Sequence, residues 1–374
     1  MKTFLSKTIS FFKKELVLSL AALLSVLSMF FVPPSAEYLE YMDWRVLALL
    51  FGLMLVVGGL QSIGTFRHLG MRLLARTKSA RALSMLLVAL CFFSAMLITN
   101  DVALLTFVPF AILILNLAGQ QGLLIPVVVL QTIAANLGSM LTPIGNPQNL
   151  YLYSTFSMSM GTFLMDMLPL TLLSLCLLII SIFLLPNTSI EVEMQEEIPT
   201  PSTSKLLLYI GLFLVAIACV LHLISWPVML VILILAVFFI DRKLFGTVDY
   251  FLLLTFVCFF LFIGNMERIP AVSSFLKSFI EGKELLLGVL FSQGISNVPA
   301  AILLSGFTDK VRPLLYGVNV GGLGTLIASL ASVISYRAYG NSGNAQKGTY
   351  MKCFTIYNVV FLMILYIAAW LLLR

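Results

Sequence analysis

Long apolar runs alternate with short polar breaks from one end of this chain to the other. Runs of about 18 or more apolar residues are long enough to cross a hydrocarbon core as helices. They predict full spans near residues 15–32, 45–61, 122–144, 162–185, 205–223, 226–240, 249–266, 311–335 and 354–373. Two further apolar segments, 82–118 and 284–308, are each interrupted by a polar motif. The first carries Thr99-Asn100-Asp101-Val102-Ala103 and the second Ser296-Asn297-Val298-Pro299-Ala300. Each segment reads as a re-entrant hairpin with the motif at its tip. Irregular backbone survives at membrane depth only where protein or a watery cavity satisfies it, so the tips are expected to face the interior. A transmembrane barrel would need alternating strands, and these runs do not alternate.

Downstream of each motif lies a second polar, glycine-containing break. One lies in Asn136-Leu137-Gly138-Ser139-Met140-Leu141-Thr142-Pro143-Ile144-Gly145-Asn146-Pro147-Gln148-Asn149, the other in Asn319-Val320-Gly321-Gly322-Leu323-Gly324-Thr325-Leu326-Ile327-Ala328-Ser329. Pairing Asn136 with Asn319 brings Gly138 onto Gly321, Thr142 onto Thr325, Ile144 onto Ile327 and Tyr153 onto Tyr336 without a gap. The chain is therefore an internal repeat: 1–186, a polar linker at 187–204, and 205–374. The linker's acidic run (Glu191, Glu193, Glu196, Glu197) reads as a solvated connector. The expected fold is an all-α polytopic membrane protein of two inverted-topology repeats, each with a re-entrant hairpin and an unwound transmembrane helix. Paired breaks in corresponding positions of two membrane halves point to a secondary transporter's binding site.

Charge orients this layout. Lys2, Lys7, Lys13 and Lys14 place the N-terminus in the cytoplasm, and Arg67, Arg72, Arg76, Lys78 and Arg81 return there two spans later. Glu37, Glu40 and Asp43 suit an external loop. The flanks of the second hairpin, with Lys277, Lys283, Lys310 and Arg312, fall outside and are more basic than that rule favours. The first apolar run is long and lacks a clear cleavage site, so it is expected to be a retained span rather than a signal peptide.

Composition narrows the function classes. Charged residues make up 10% of the chain and mean hydropathy is +1.07, which excludes an ordinary soluble domain. No basic stripe interleaved with aromatics appears, so nucleic acid is set aside. Cys91, Cys176, Cys219, Cys258 and Cys353 are scattered and read as small core residues. His68 and His222 are far apart and have no metal-ligand spacing. Intramembrane enzyme chemistry would need a paired acid set, a Ser/His dyad or metal ligands, and none is evident. The expectation is a protein that is not an enzyme, with no cofactor beyond a coupling sodium or proton. A passive channel or a scaffold would leave the paired motifs unexplained.

The tips and breaks carry the candidate chemistry. Helix-start amides attract anions, while freed carbonyls and Asn or Ser oxygens can hold a small cation. Asn100 and Asn297 offer both donors and acceptors. Pro147 and Pro299 suit a first helical turn. Asp101 is the one acid deep in a membrane segment, and a buried intramembrane acid is a functional hypothesis by default. It reads as a proton carrier or cation ligand, or else as a wet residue capping the helix behind it. Asp166 and Asp249 sit near span ends and read as interfacial or capping residues. The alternative for the whole set is a group of tolerated Gly and Pro kinks; its paired occurrence in matching order favours a site.

These motifs resemble the ion-transporter superfamily of citrate and dicarboxylate transporters, divalent-anion/sodium symporters, arsenite permeases and a class of sodium/proton antiporters. The anchors are Thr99-Asn100-Asp101, Thr142-Pro143-Ile144-Gly145-Asn146-Pro147-Gln148-Asn149 and Ser296-Asn297. The resemblance implies one half-site at Asn100, Gly145 and Asn146 and another at Ser296, Asn297, Thr325 and Ser329, with Thr99, Asp101, Thr142 and Asn149 beside them. It also implies sodium held near Asn100, Gly145 and Asn297. The first tip has Asp101 where the symporters have a hydroxyl residue, and the second break lacks their Pro-x-Gly-x-Pro-x-Asn pattern. Both departures argue against a two-sodium symport mechanism and leave a single-ion or proton-coupled mechanism open. The expected function is secondary active transport of a small anion, a carboxylate or oxyanion, across the plasma membrane (a bacterial inner membrane), coupled to protons or sodium. The alternatives are cation/proton antiport or arsenite efflux. The expected partners are the bilayer, a small anionic substrate and a second copy in a homodimer.

Overall fold

The computed structural model describes residues 16–66, 68, 77–190, 202–343 and 345–374. The basic residues Lys2 to Lys14, Arg67, Arg72 and Arg76, and the acidic residues of the linker, lie outside the described residues. Eight described helices are long and apolar enough to cross a membrane. Shorter helices lie among them, and the described residues hold one isolated strand-like bridge, Ser79 to Ser189.

The helices follow the hydropathy pattern and start where the sequence supplies a cap. Helix α1 (Leu16–Met29) leads to α2 (Trp44–Ser62), whose first turn is capped by Asp43 accepting from the Val46 amide at 2.9 Å. Ser79 caps α3 (Ala80–Ile98) through the Ala82 amide. Thr99 alone separates α3 from α4 (Asn100–Leu117). Then come α5 (Leu124–Ser139), α6 (Pro147–Thr155) and α7 (Met160–Phe183). The second half holds α8 (Thr203–Val220), α9 (Trp226–Ile240), α10 (Tyr250–Glu267) and α11 (Pro270–Ile280). It continues with α12 (Glu284–Ile295), α13 (Asn297–Ser305), α14 (Val311–Val320), α15 (Leu330–Gly340) and α16 (Lys347–Leu372).

Two expected spans differ in detail. The runs 122–144 and 311–335 are not continuous helices: α5 stops at Ser139 and α14 at Val320, and helix resumes only at Pro147 and Leu330. Hydropathy could not show this, because Met140, Leu141 and Ile144 keep the first gap apolar, as Leu323, Leu326 and Ile327 do the second. Helix α11, with Phe275 and Phe279 stacked and exposed on one side and Ile280 buried on the other, is an additional amphipathic segment.

The helix breaks at each motif, between α3 and α4 and between α12 and α13, and the far ends of these two helix pairs are tied to opposite ends of α7. The arms of the first meet a common clamp: Gln131 on α5 donates to the Leu87 carbonyl of α3 and the Phe107 carbonyl of α4. Its base is strapped to the far end of α7. Arg81 donates to Leu185, the Ala80 amide to Thr188, and the Ile190 amide to Lys78. The base of the second hairpin, where Thr308 donates to Glu284, leads into α14, and Arg312 and Tyr316 of α14 bond Asp166 near the start of α7. Asp166 and Leu185 are separated by roughly 28 Å of helix at 1.5 Å per residue. The arrangement is consistent with inverted repeats. It also answers the basic flank of the second hairpin in part, since Arg312 Nε lies 3.1 Å from Asp166.

Candidate functional site

Each hairpin tip turns on one residue in the left-handed half of backbone space. Thr99 has φ 74° and ψ 151°, Ser296 φ 74° and ψ 153°. A side chain, and above all a β-branched one, rarely adopts such angles, so the shared geometry is strain retained at both tips. The turn brings the next residue, Asn100 or Asn297, to the start of a helix pointing away from the tip.

The unwound segments are stapled to the hairpins by repeat-related bonds. Thr142 Oγ1 donates to the Met96 carbonyl, three residues before the first tip. Thr325 Oγ1 donates to the Gln293 carbonyl, three residues before the second. Gln293 also donates to the Gly321 and Leu323 carbonyls, and Asn149 plays that part in the first half by reaching Ser139, Met140 and Thr142. Gly138 packs so closely on α3 that a Cβ would stand 2.1 Å from the Phe92 carbonyl oxygen. A Cβ on Gly145 would likewise meet the Ser139 oxygen at 2.1 Å, so only glycine fits either place.

Near the motifs the halves meet through crossed hydrogen bonds. Asn136 Oδ1 accepts from Asn100 Nδ2 at 3.1 Å and from Ser329 Oγ, in the other half, at 2.9 Å. Asn319 Oδ1 accepts from Asn146 Nδ2 across the same boundary at 3.4 Å, and Asn319 Nδ2 donates to Asn149 at 2.7 Å. In the register that pairs Asn136 with Asn319, Asn146 pairs with Ser329. The Asn136–Ser329 and Asn319–Asn146 bonds are therefore counterparts under the internal symmetry.

Between the tips lies a small cavity of about 10 Å³, lined by Asn100, Asp101, Gln148, Ser296, Asn297 and Ser329 with Pro147, Leu252, Val298 and Leu330. Four helices, α4, α6, α13 and α15, begin at its wall, so four positive dipole ends converge there. Asp101 is the one charged lining residue. Its Oδ1 is enclosed and receives no hydrogen bond from the protein, and its backbone amide donates to the Asn100 side-chain Oδ1.

Of the residues expected at the site, Asn100, Asp101, Ser296, Asn297 and Ser329 line the cavity. Thr99 forms the turn beside it. Asn146 caps α6 through the Asn149 amide at 3.0 Å and stands behind the wall with Asn149. Thr142 and Thr325 are latches, Thr325 being exposed, and Gly145 is packed against Ser139. Asn100 and Asn297 are therefore the two of the three residues expected near sodium that reach the cavity. Among the described residues no group of three His, Cys, Asp or Glu side chains could hold a metal. Asn136 and Asn319, which set the repeat register in the sequence, are the centres of the cross-half bonding. Gln131 and Gln293 carried no sequence signal, since each sits alone in an apolar helix, and Gln148 lay within the Thr142–Asn149 motif without being singled out.

Comparison with known proteins agrees with this geometry. The chain is 34% identical to the inner membrane protein YbiR of Escherichia coli, over 82% of this chain and 83% of that protein. It is 30% identical to an uncharacterized transporter of Methanocaldococcus jannaschii, over 88% of this chain and 90% of that one. A shorter match, 37% identical over 34% of this chain and 26% of the relative, is to a silicon efflux transporter of Oryza sativa subsp. japonica. The sequence model of the citrate transporter family matches residues 8–311, both hairpin tips and the first unwound segment included. With two membrane halves joined at a cavity and a family match over most of its length, the chain is a membrane transporter, not an enzyme, and belongs to the citrate transporter family.

Proposed function

We propose that this transporter moves a small anion, a carboxylate or an oxyanion, across the plasma membrane by alternating access, with protons or sodium as the coupling ion. The observation that carries this reading is the convergence of four helix starts on one cavity. No lysine or arginine lines that cavity, so amide dipoles together with the Asn and Ser side chains supply the attraction. At about 10 Å³ the cavity has room for about one water-sized occupant, so a carboxylate is admitted only when the halves move apart. The bonds between Asn136 and Ser329 and between Asn319 and Asn146 are the contacts that such a movement rearranges.

Charge asymmetry supports a cytoplasmic N-terminus, and the expected homodimer remains part of this reading. A second reading rests on Asp101. An enclosed carboxylate oxygen with no donor suits a bound cation or a proton, as cation/proton exchange or efflux of a weak acid would use. The silicon efflux name of one relative belongs with it.

Flux in proteoliposomes with an internal pH dye separates the readings. Di- and tricarboxylates and oxyanions are added in turn, and sodium is pulsed separately. Anion-dependent proton movement that is lost in Asn297→Ala supports the first reading. A sodium-dependent signal without any anion supports the second. Normal anion flux in both Asn100→Ala and Asn297→Ala overturns the site.

A further inference from the structure

We propose that a bound water joins Asn136 to Ser332 across the boundary between the halves, in the place where Asn319 and Asn149 bond directly. The register that pairs Asn136 with Asn319 also pairs Asn149 with Ser332. Each is the third residue of its helix, α6 or α15, behind an extended cap residue, Asn146 or Ser329. In one contact both members of the pair reach Asn319. Asn146 Nδ2 donates to its Oδ1 at 3.4 Å, and Asn149 Oδ1 accepts from its Nδ2 at 2.7 Å. In the other, Ser329 Oγ donates to Asn136 Oδ1 at 2.9 Å, and the symmetry calls for Ser332 Oγ to accept from Asn136 Nδ2. That bond is not made. Asn136 Nδ2 and Ser332 Oγ are both enclosed, and neither has a hydrogen-bond partner in the protein. Asn136 is 4% exposed and Ser332 is fully buried.

Neighbouring bonds fix the orientation of Asn136. The Asp101 backbone amide can only donate, so the oxygen of the Asn100 side chain accepts from it. Asn100 Nδ2 then donates to Asn136 Oδ1, which leaves Asn136 Nδ2 on the opposite side of its amide. An amide NH2 group repels a cation and calls for an oxygen lone pair. Thr132 and Ser335 return their hydroxyls to the carbonyl four residues earlier, and Ser332 does not. The corresponding carbonyl, that of Ala328, already accepts from the Asn297 amide at 3.0 Å. Serine carries its oxygen on Cβ where asparagine carries one on Cγ, so the acceptor in the second half stands back from Asn136. Asn149 also holds the carbonyls of the first unwound segment, and Gln293 has that duty in the second, which leaves Ser332 to this contact alone. A water accepts from Asn136 Nδ2 and bonds the Ser332 hydroxyl, which can donate or accept, and a buried water needs only about two to four such partners. One side of the seam is then dry and the other wet. Bulk water can replace a bridging water without loss of a bond, so the Asn136 side is where the halves part at least cost. That consequence rests on the alternating-access reading; the water itself does not.

The test reads the water directly and needs no transported solute, so its outcome is separate from that of the flux assay. The full chain is reconstituted in lipid nanodiscs and its structure determined at a resolution that shows ordered water. A density peak within about 3.2 Å of both Asn136 Nδ2 and Ser332 Oγ is the expected result. A direct bond between the two side chains, or no peak between them, overturns the proposal. Melting curves give a second reading that differs in sign. Removing a buried hydroxyl that bonds nothing is neutral or stabilising, so an idle Ser332 would let Ser332→Ala melt at or above the wild type. A hydroxyl that holds the water predicts a fall of about 2 °C or more, and that fall is expected to vanish in the Asn136→Ala background. Ser332→Asn places the residue of the other half here, and it is expected to displace the water, bond Asn136 directly and melt above Ser332→Ala. Ser332→Ala keeps the test decisive where Ser332→Asn does not fold: a melt at or above the wild type, or an equal fall with and without the Asn136 side chain, overturns the proposal.

Discussion

Thr99 and Ser296 hold the same strained backbone conformation at the tips of the two hairpins, with φ 74° at both and ψ of 151° and 153°. The coincidence says the tips are built alike; their side chains are used differently. Thr99 makes no capping bond to α4, whereas Ser296 lines the cavity. Glycine visits positive φ without strain, so Thr99→Gly is expected to raise thermal stability in detergent by about 1 kcal/mol. Ser296→Gly relieves the same strain but removes a hydroxyl from the site, and it is expected to stay folded while losing flux. A thermal melt paired with the flux assay reads both outcomes.

The crossed bonds between the halves make a quantitative case. Removing the Asn136 side chain leaves Asn100 Nδ2 and Ser329 Oγ, both buried, without their acceptor. A buried donor left unsatisfied costs about 1–3 kcal/mol. Asn136→Ala is therefore expected to destabilise by about that much. In a double-mutant cycle, Asn136→Ala and Ser329→Ala should couple by about 1 kcal/mol. Asn146→Ala and Asn319→Ala should couple in the same sense if the two contacts are counterparts. Additive melting data for both pairs would contradict the bonds, and coupling in one pair alone would contradict the symmetry.

Much of this was legible in the sequence because transport sites at the bilayer midplane must break the apolar pattern. Thr99-Asn100 and Ser296-Asn297 are conspicuous for that reason, and the structure puts both tips on one cavity. The limits of the unwound segments were not legible, because their backbone is held by single side chains, Asn149 and Gln293, acting on apolar residues. Nor could spacing show that Thr142 and Thr325 bond back to their hairpins rather than face the site. The part of Leu252 was invisible for a different reason: α10 is remote in sequence from the first tip, and only the fold brings it to the cavity that Asp101 lines.

Close packing of the first unwound helix on α3 predicts a sharp contrast between two glycines. A Cβ at position 138 would meet backbone, the Phe92 carbonyl oxygen, at 2.1 Å, while one at Gly211 meets nothing within 4 Å. Backbone cannot rotate away as a side chain can. Gly138→Ala is expected to cost about 3 kcal/mol or more, at the upper end of overpacking effects, and to lower the yield of folded protein. Gly211→Ala, in the middle of α8, is expected to be neutral or slightly stabilising. Size-exclusion profiles and melts of the two variants side by side check this.

The opposite orientation of the hairpins can be read by labelling. In a variant stripped of its five cysteines, a single cysteine at Lys310, beside the second hairpin, should react with an impermeant maleimide in intact cells. A single cysteine at Ser189, on the strap under the first hairpin, should react only after lysis. Both positions labelling from the same face would contradict inverted repeats.

The cap at Asp43 makes a prediction with a definite pH sign. Burial pushes its carboxyl above the ordinary aspartate value, outweighing the Val46 amide and the Arg45 charge. The folded state therefore binds this proton more tightly than the unfolded one does. Its contribution to stability is fully present below the unfolded value and is lost as pH rises from there through the raised folded value. Asparagine caps equally well and has no charge to bury, so Asp43→Asn should hold or raise the melting temperature at neutral pH and flatten its fall across the acidic range. Asp43→Ala should instead lose about 1 kcal/mol at every pH, because the Val46 amide is left without its acceptor. Melts of the wild type and both variants across that range decide it; an Asn variant that tracks the Ala variant would mean that the cap geometry, rather than the buried charge, sets the behaviour of this end of α2.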